Sequence, residues 1–115
     1  MKQNLVKVIK KFRIIDKSIE LFWENLEKFK TNPECAEEYH RIFGEFNEKS
    51  LKLYLKAISY NLDAASIDSK ESITVQIDII YKRRSIGYYE TCFNMKGERI
   101  DDYFLTYPFP SSPIP

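Results

Sequence analysis

The sequence predicts an α+β domain in which two or three N-terminal helices pack on one face of a three-stranded antiparallel meander. Two observations carry this. The apolar residues of the first half recur every three or four positions, and those after residue 72 recur every second position. A third observation bounds the answer. A chain of 115 residues, 43% hydrophobic and 30% charged, has the length and balance of one globular domain.

From Leu5 to Phe29 the apolar positions are Leu5, Val8, Phe12, Ile15, Ile19, Phe22, Leu26 and Phe29, an alternation of threes and fours. Val6, Ile9, Ile14 and Trp23 widen this stripe beyond a coiled-coil seam, so the segment is expected to cover a core. Asp16-Lys17-Ser18 offers capping residues at which one helix could divide into two. Asn32-Pro33-Glu34 is a helix start, with Asn32 as cap, proline in the first turn and Glu34, Glu37 and Glu38 at the positive end of the helix dipole. Ala36, Tyr39, Phe43 and Phe46 form its stripe. Beyond Gly44, the residues Leu51, Tyr54, Leu55, Ile58, Leu62 and Ala65 again step by threes and fours, which predicts a helix from about Phe46 to Ala64.

The period then changes. Ile73, Val75, Ile77, Ile79 and Tyr81 alternate with Thr74, Gln76, Asp78, Ile80 and Lys82, the pattern of a half-buried strand. Lys82 to Ser85 reads as a turn, Ile86 to Met95 as a second strand, Lys96-Gly97 as a hairpin turn, and Glu98 to Tyr107 as a third strand. Residues 108–115 hold four prolines, which cannot donate to a ladder, so the domain is taken as 1–107 with an extended tail.

Composition narrows the chemistry. Three glycines, one histidine and two cysteines supply little for a phosphate loop, a metal cluster or a disulfide framework, and no cofactor or metal is expected. Cys35 and His40 lie on different faces of a helix, so a thiol–imidazole pair is not expected. The basic start leaves no signal-peptide or membrane-spanning run, and a cytoplasmic protein is expected. Net charge is +1, but residues 1–17 carry six basic side chains against Asp16, and residues 18–50 carry four basic against eight acidic. That balance argues against nucleic acid as the main partner, and the basic first helix needs its apolar stripe for the core and not for a membrane.

If Ile73 to Ile79 face the helices, Asp78 faces outward. In the second strand Tyr88 and Glu90 do the same. For the third strand a two-residue Lys96-Gly97 loop sends Ile100, Asp102 and Phe104 inward and Asp101, Tyr103 and Leu105 outward. A three-residue loop ending on a left-handed glycine reverses the faces and sets Glu90 opposite Asp102. Like charges directly opposite are unfavourable, so the first register is expected. Under it the outer face carries Asp78, Tyr88, Glu90, Asp101 and Tyr103. Carboxylates of this kind serve hydrolysis or metal chemistry only within a concave site, which an open three-stranded sheet does not offer. Tyrosines ringed by carboxylates suit recognition of a basic protein surface.

The stretch Ile86 to Leu105 resembles the closing hairpin of small bacterial immunity proteins, the antidotes paired with polymorphic or contact-dependent toxins. The shared pattern is an aromatic-rich strand, a Gly97-Glu98 turn and an Ile100-Asp101-Asp102-Tyr103 strand. The resemblance covers about 20 of the 115 residues. It implies a cytoplasmic, non-enzymatic protein, monomeric or homodimeric before binding, that occludes one cognate toxin domain. Hairpins of this kind also close cystatin-like and nuclear-transport-factor-like sheets, so the alternative is a small ligand-binding or enzymatic domain with a pocket near Tyr81, Tyr89 and Asp102. That fold ordinarily has four or more strands, against the three expected here.

Overall fold

The computed structural model describes residues 2–63 and 70–107; the proline-rich tail expected at 108–115 lies outside the described residues. Helix α1 (Lys2–Lys11), helix α2 (Ile14–Thr31), a 3-10 turn at Pro33–Cys35 and helix α3 (Ala36–Phe43) precede four strands: β1 (Leu51–Asp63), β2 (Lys70–Tyr81), β3 (Arg84–Asn94) and β4 (Arg99–Thr106). The strands form one antiparallel sheet in the order β1-β2-β3-β4. The α+β class holds. The sheet has four strands, one more than the period predicts.

The missed strand is β1, where a helix was expected. Lys56 is left unpaired between Leu55, opposite Ile77, and Ala57, opposite Gln76. This one-residue bulge flips the phase of the alternation. Leu51, Leu53 and Leu55 look toward the helices before it, and Ile58, Tyr60 and Leu62 after it. Taken together, Leu51, Leu55, Ile58 and Leu62 therefore imitate helical spacing.

A similar one-residue phase shift divides the first helical segment. The break falls at Phe12-Arg13 and not at Asp16–Ser18: Arg13 is left-handed, with φ 52°. The shift turns Ile14, Ser18, Phe22 and Leu26 inward and leaves Ile19 and Trp23 about a third exposed. Ser18 is no cap. Its hydroxyl is buried and donates to the Ile14 carbonyl at 2.8 Å. Asn32 does cap, accepting from the Glu34 N–H at 2.9 Å, and Gly44 ends α3 with φ 54°.

The core lies between the helices and one face of the sheet, in two adjoining clusters. Phe22, Leu26, Tyr39, Phe43, Ile79, Tyr81, Ile86 and Tyr89 form one, and Ile14, Ile73, Val75, Ile77 and Phe93 the other. Aromatic contacts dominate the first. Phe22 meets Tyr89 edge-on at 6.1 Å and stacks with Phe104 at 5.9 Å, and Phe43 meets Tyr81 edge-on at 5.0 Å. Such pairs contribute about 1 kcal/mol each beyond area burial. Gly87 permits β4 to approach β3, because a Cβ there would collide with the Leu105 carbonyl oxygen.

Candidate functional site

The β3–β4 hairpin decides which side chains reach the outer face. Its loop is the three-residue form, Met95-Lys96-Gly97, with Gly97 at φ 79° and the Asn94 N–H donating to the Glu98 carbonyl at 2.9 Å. The Asn94 carboxamide oxygen accepts from the N–H groups of Lys96 and Glu98, both at 2.9 Å. Left alone, this loop would reverse the faces of β4. A second bulge cancels it: Arg99 lies opposite Phe93 and Asp101 opposite Cys92, leaving Ile100 unpaired. The two-residue loop is thus corrected; the faces it predicted for Asp101, Tyr103, Leu105, Asp102 and Phe104 are the observed ones, but Ile100, expected inward, is exposed on the bulge. Glu90 faces Tyr103, and Asp102 faces Thr91 on the helix side.

Four of the five predicted residues are joined by the strand register. Asp78 is opposite Tyr88 and Glu90 is opposite Tyr103, while the Tyr88 and Tyr103 rings are 6.0 Å apart. Asp101 lies opposite Cys92, one step along the same face, and one of its carboxylate oxygens accepts from the Asp102 N–H at 2.8 Å. Tyr103 is half exposed, and Tyr88 is partly covered by Tyr103 and Tyr107. Partial burial, then the nearby Tyr103 and Glu90, hold the Tyr88 phenol above its ordinary pKa, so it is a neutral hydrogen-bond donor at physiological pH.

The outer face is not flat, as an open sheet was expected to be. It carries two open depressions of opposite character. One, of about 570 Å³, is lined by Thr74, Glu90, Cys92, Ile100, Asp101 and Tyr103. The other, of about 870 Å³, is lined by Lys52, Tyr54, Asp78, Ile80, Lys82 and Arg83. The basic depression was not foreseen because Lys52 and Tyr54 belong to the strand read as a helix. Lys82 and Arg83 belong to a two-residue turn in which both have positive φ, 51° and 66°, where Asn-Gly is the ordinary choice.

A polar cluster at the margin of the helix–sheet interface joins Tyr89 and Asp102, two of the three residues of the alternative pocket, to Asn25 and Arg99. Asp102 accepts at one oxygen from Asn25 Nδ2 at 2.8 Å and from the Tyr89 hydroxyl at 2.9 Å, and Arg99 reaches its other oxygen at 3.2 Å. Burial, reinforced by the hydrogen bond to and charge of Asp102, holds the Tyr89 phenol well above its ordinary pKa. Asn25, on the flank of an apolar stripe, and Arg99 are the members that sequence reasoning did not place there.

His40 and Cys35 remain apart in role: His40 is exposed on α3, and Cys35 is a half-buried free thiol. Among the described residues no group of three His, Cys, Asp or Glu side chains is arranged to hold a metal ion, and no helix is long and apolar enough to cross a membrane. Tyr81 and Tyr89 are buried, packed against Phe43 and Phe22, and neither lines the two outer depressions. Compared with protein-family models, with curated proteins and with solved structures, the chain gives no match in any of the three.

Proposed function

We propose that this is a non-enzymatic protein-binding domain acting in the cytoplasm without a cofactor, and that it is an immunity protein that neutralises a cognate bacterial toxin by occluding it. The observation that carries the reading is the convergence of Asp78, Tyr88, Glu90, Asp101 and Tyr103 on one sheet face, with the two tyrosine rings in contact. Tyrosine gives contact area at low entropic cost, and the carboxylates steer a basic partner surface and select for it.

The test is co-expression with the C-terminal domain encoded by an adjacent upstream toxin-like gene. The chain should restore growth and co-purify with that domain. Asp78→Ala, Glu90→Ala and Asp101→Ala together should weaken the complex by several kcal/mol, on the order of 2 per desolvated ion pair. Absence of rescue overturns the reading, and unchanged affinity with an intact circular dichroism spectrum removes this face from it.

One observation favours the alternative. The fourth strand gives the helices-then-meander order the sheet size that cystatin-like and nuclear-transport-factor-like domains use. Their expected pocket near Tyr81, Tyr89 and Asp102 is occupied by Phe22, Phe43 and Phe104. Immunity by occlusion is therefore the reading retained.

A further inference from the structure

Among the described residues strand β1 is a sheet edge, paired on one side only, by β2. At 13 residues it is about 40 Å long, well beyond the usual strand. Three large apolar side chains that stand half exposed belong to it: Tyr54 at 55%, Leu55 at 49% and Leu62 at 52%. Leu55 and Leu62 point to the helix side yet lie beyond the cover that the helices provide. Open backbone groups with apolar side chains beside them form a template for another strand.

The bulge at Lys56 restricts which strand fits. Helix-side residues occupy odd positions before it and even positions after it. An antiparallel partner must therefore carry the same flip in phase at its centre if apolar side chains are to meet apolar ones. A second copy of β1 does. With a two-fold axis between Lys56 and Ala57 the two flips coincide, and Leu51 lies opposite Leu62, Leu53 opposite Tyr60 and Leu55 opposite Ile58 on the helix side. On the outer side Lys52 lies opposite Asn61 and Tyr54 opposite Ser59. Symmetry makes each of these contacts twice. Both half-exposed leucines gain an apolar partner, and the two Lys56 side chains face Ala57 and not each other.

We infer that the chain forms a two-fold dimer by antiparallel pairing of β1 with β1 of a second copy, giving one continuous eight-stranded sheet. The pairing leaves Asp78, Tyr88, Glu90, Asp101 and Tyr103 uncovered, so it stands independently of the proposed function.

Sedimentation velocity over the micromolar to millimolar range tests it on the full chain. The wild type should show a concentration-dependent monomer–dimer equilibrium, and hydrogen exchange of the β1 amides should slow as the dimer forms. Leu62→Lys sets a charge against Leu51 at both ends of the pairing and should raise the dimer Kd about tenfold or more. Leu62→Ile keeps the apolar contact and should leave the Kd within about threefold of the wild type. Circular dichroism and thermal melts confirm that each variant is folded. Leu55→Lys, which sets an unpaired charge against Ile58 beside the axis, supplies a second measurement and should abolish the dimer. A wild type that stays monomeric throughout overturns the inference. So does a dimer insensitive to Leu62→Lys and Leu55→Lys, or one whose β1 amides exchange as fast as in the monomer.

Discussion

Tyr89→Phe removes one oxygen atom from the fully buried phenol that donates to Asp102 at 2.9 Å. At neutral pH the loss is that of a hydrogen bond to a charged acceptor, worth about 1.5–3 kcal/mol in general. Here Asn25 and Arg99 continue to hold the Asp102 carboxylate at 2.8 and 3.2 Å, so a cost at the lower end, about 1.5 kcal/mol, is expected. The alkaline range gives the more specific result. The folded protein holds the Tyr89 proton more tightly than the unfolded chain, because burial and then Asp102 raise its pKa. The wild-type advantage is thus fully present below the unfolded phenol pKa of about 10 and is lost above it, at about 1.4 kcal/mol per pH unit. Stability measured by urea titration from about pH 7 to 11 should show wild type and Tyr89→Phe separated by a constant amount up to about pH 10, then converging and meeting about one unit higher. Tyr39, Tyr60 and Tyr88, which are also shifted upward, are common to both proteins and cancel in the difference. A separation that stays constant through pH 11 would refute the assigned hydrogen bond and the burial argument together.

Two further predictions concern the backbone. Gly87→Ala sets a methyl group against the Leu105 carbonyl and should cost about 3 kcal/mol, a loss of roughly 10 °C in Tm by calorimetry; an unchanged Tm refutes the close approach of β4 to β3. Replacing Lys82-Arg83 by Asn-Gly relieves two left-handed non-glycine residues and should stabilise by about 1 kcal/mol in urea titration, even after losing the Lys82 ammonium 5.5 Å from the Tyr81 ring. A destabilised variant would show that these two side chains hold the turn through contacts stronger than the strain.

Most of the architecture was legible wherever the residue period was undisturbed. The alternation from Ile73 to Tyr81 and the Asn32-Pro33 helix start needed nothing from the rest of the chain. What failed, failed at single-residue insertions. Lys56 converts an alternating strand into an apparent helix, and left-handed Arg13 rotates the α2 stripe from Ile15 and Ile19 to Ile14 and Ser18. Neither residue type announces a bulge or a left-handed turn, since both are ordinary solvent-facing cations. The outer face was legible because two departures from ideal pairing, the left-handed loop glycine and the unpaired Ile100, cancel. The basic depression was not legible, because Lys52, Tyr54, Lys82 and Arg83 are gathered by pairing between β1 and β2 that local periodicity cannot contain.

The contact between Gly97 and the α1–α2 junction has a consequence for how the chain folds. Lys17 donates to the Gly97 carbonyl across 80 positions of sequence, and the Phe12 ring lies where a Gly97 side chain would stand. Closing so large a loop costs configurational entropy that helix formation cannot repay locally, and rates fall as such non-local contacts accumulate. During synthesis Phe12 and its helix emerge long before the hairpin that covers them. Strand β2 can cover Ile14 through Ile73, Val75 and Ile77 before then, so what waits for the last hairpin is the Phe12 and Lys17 contact at the α1–α2 junction.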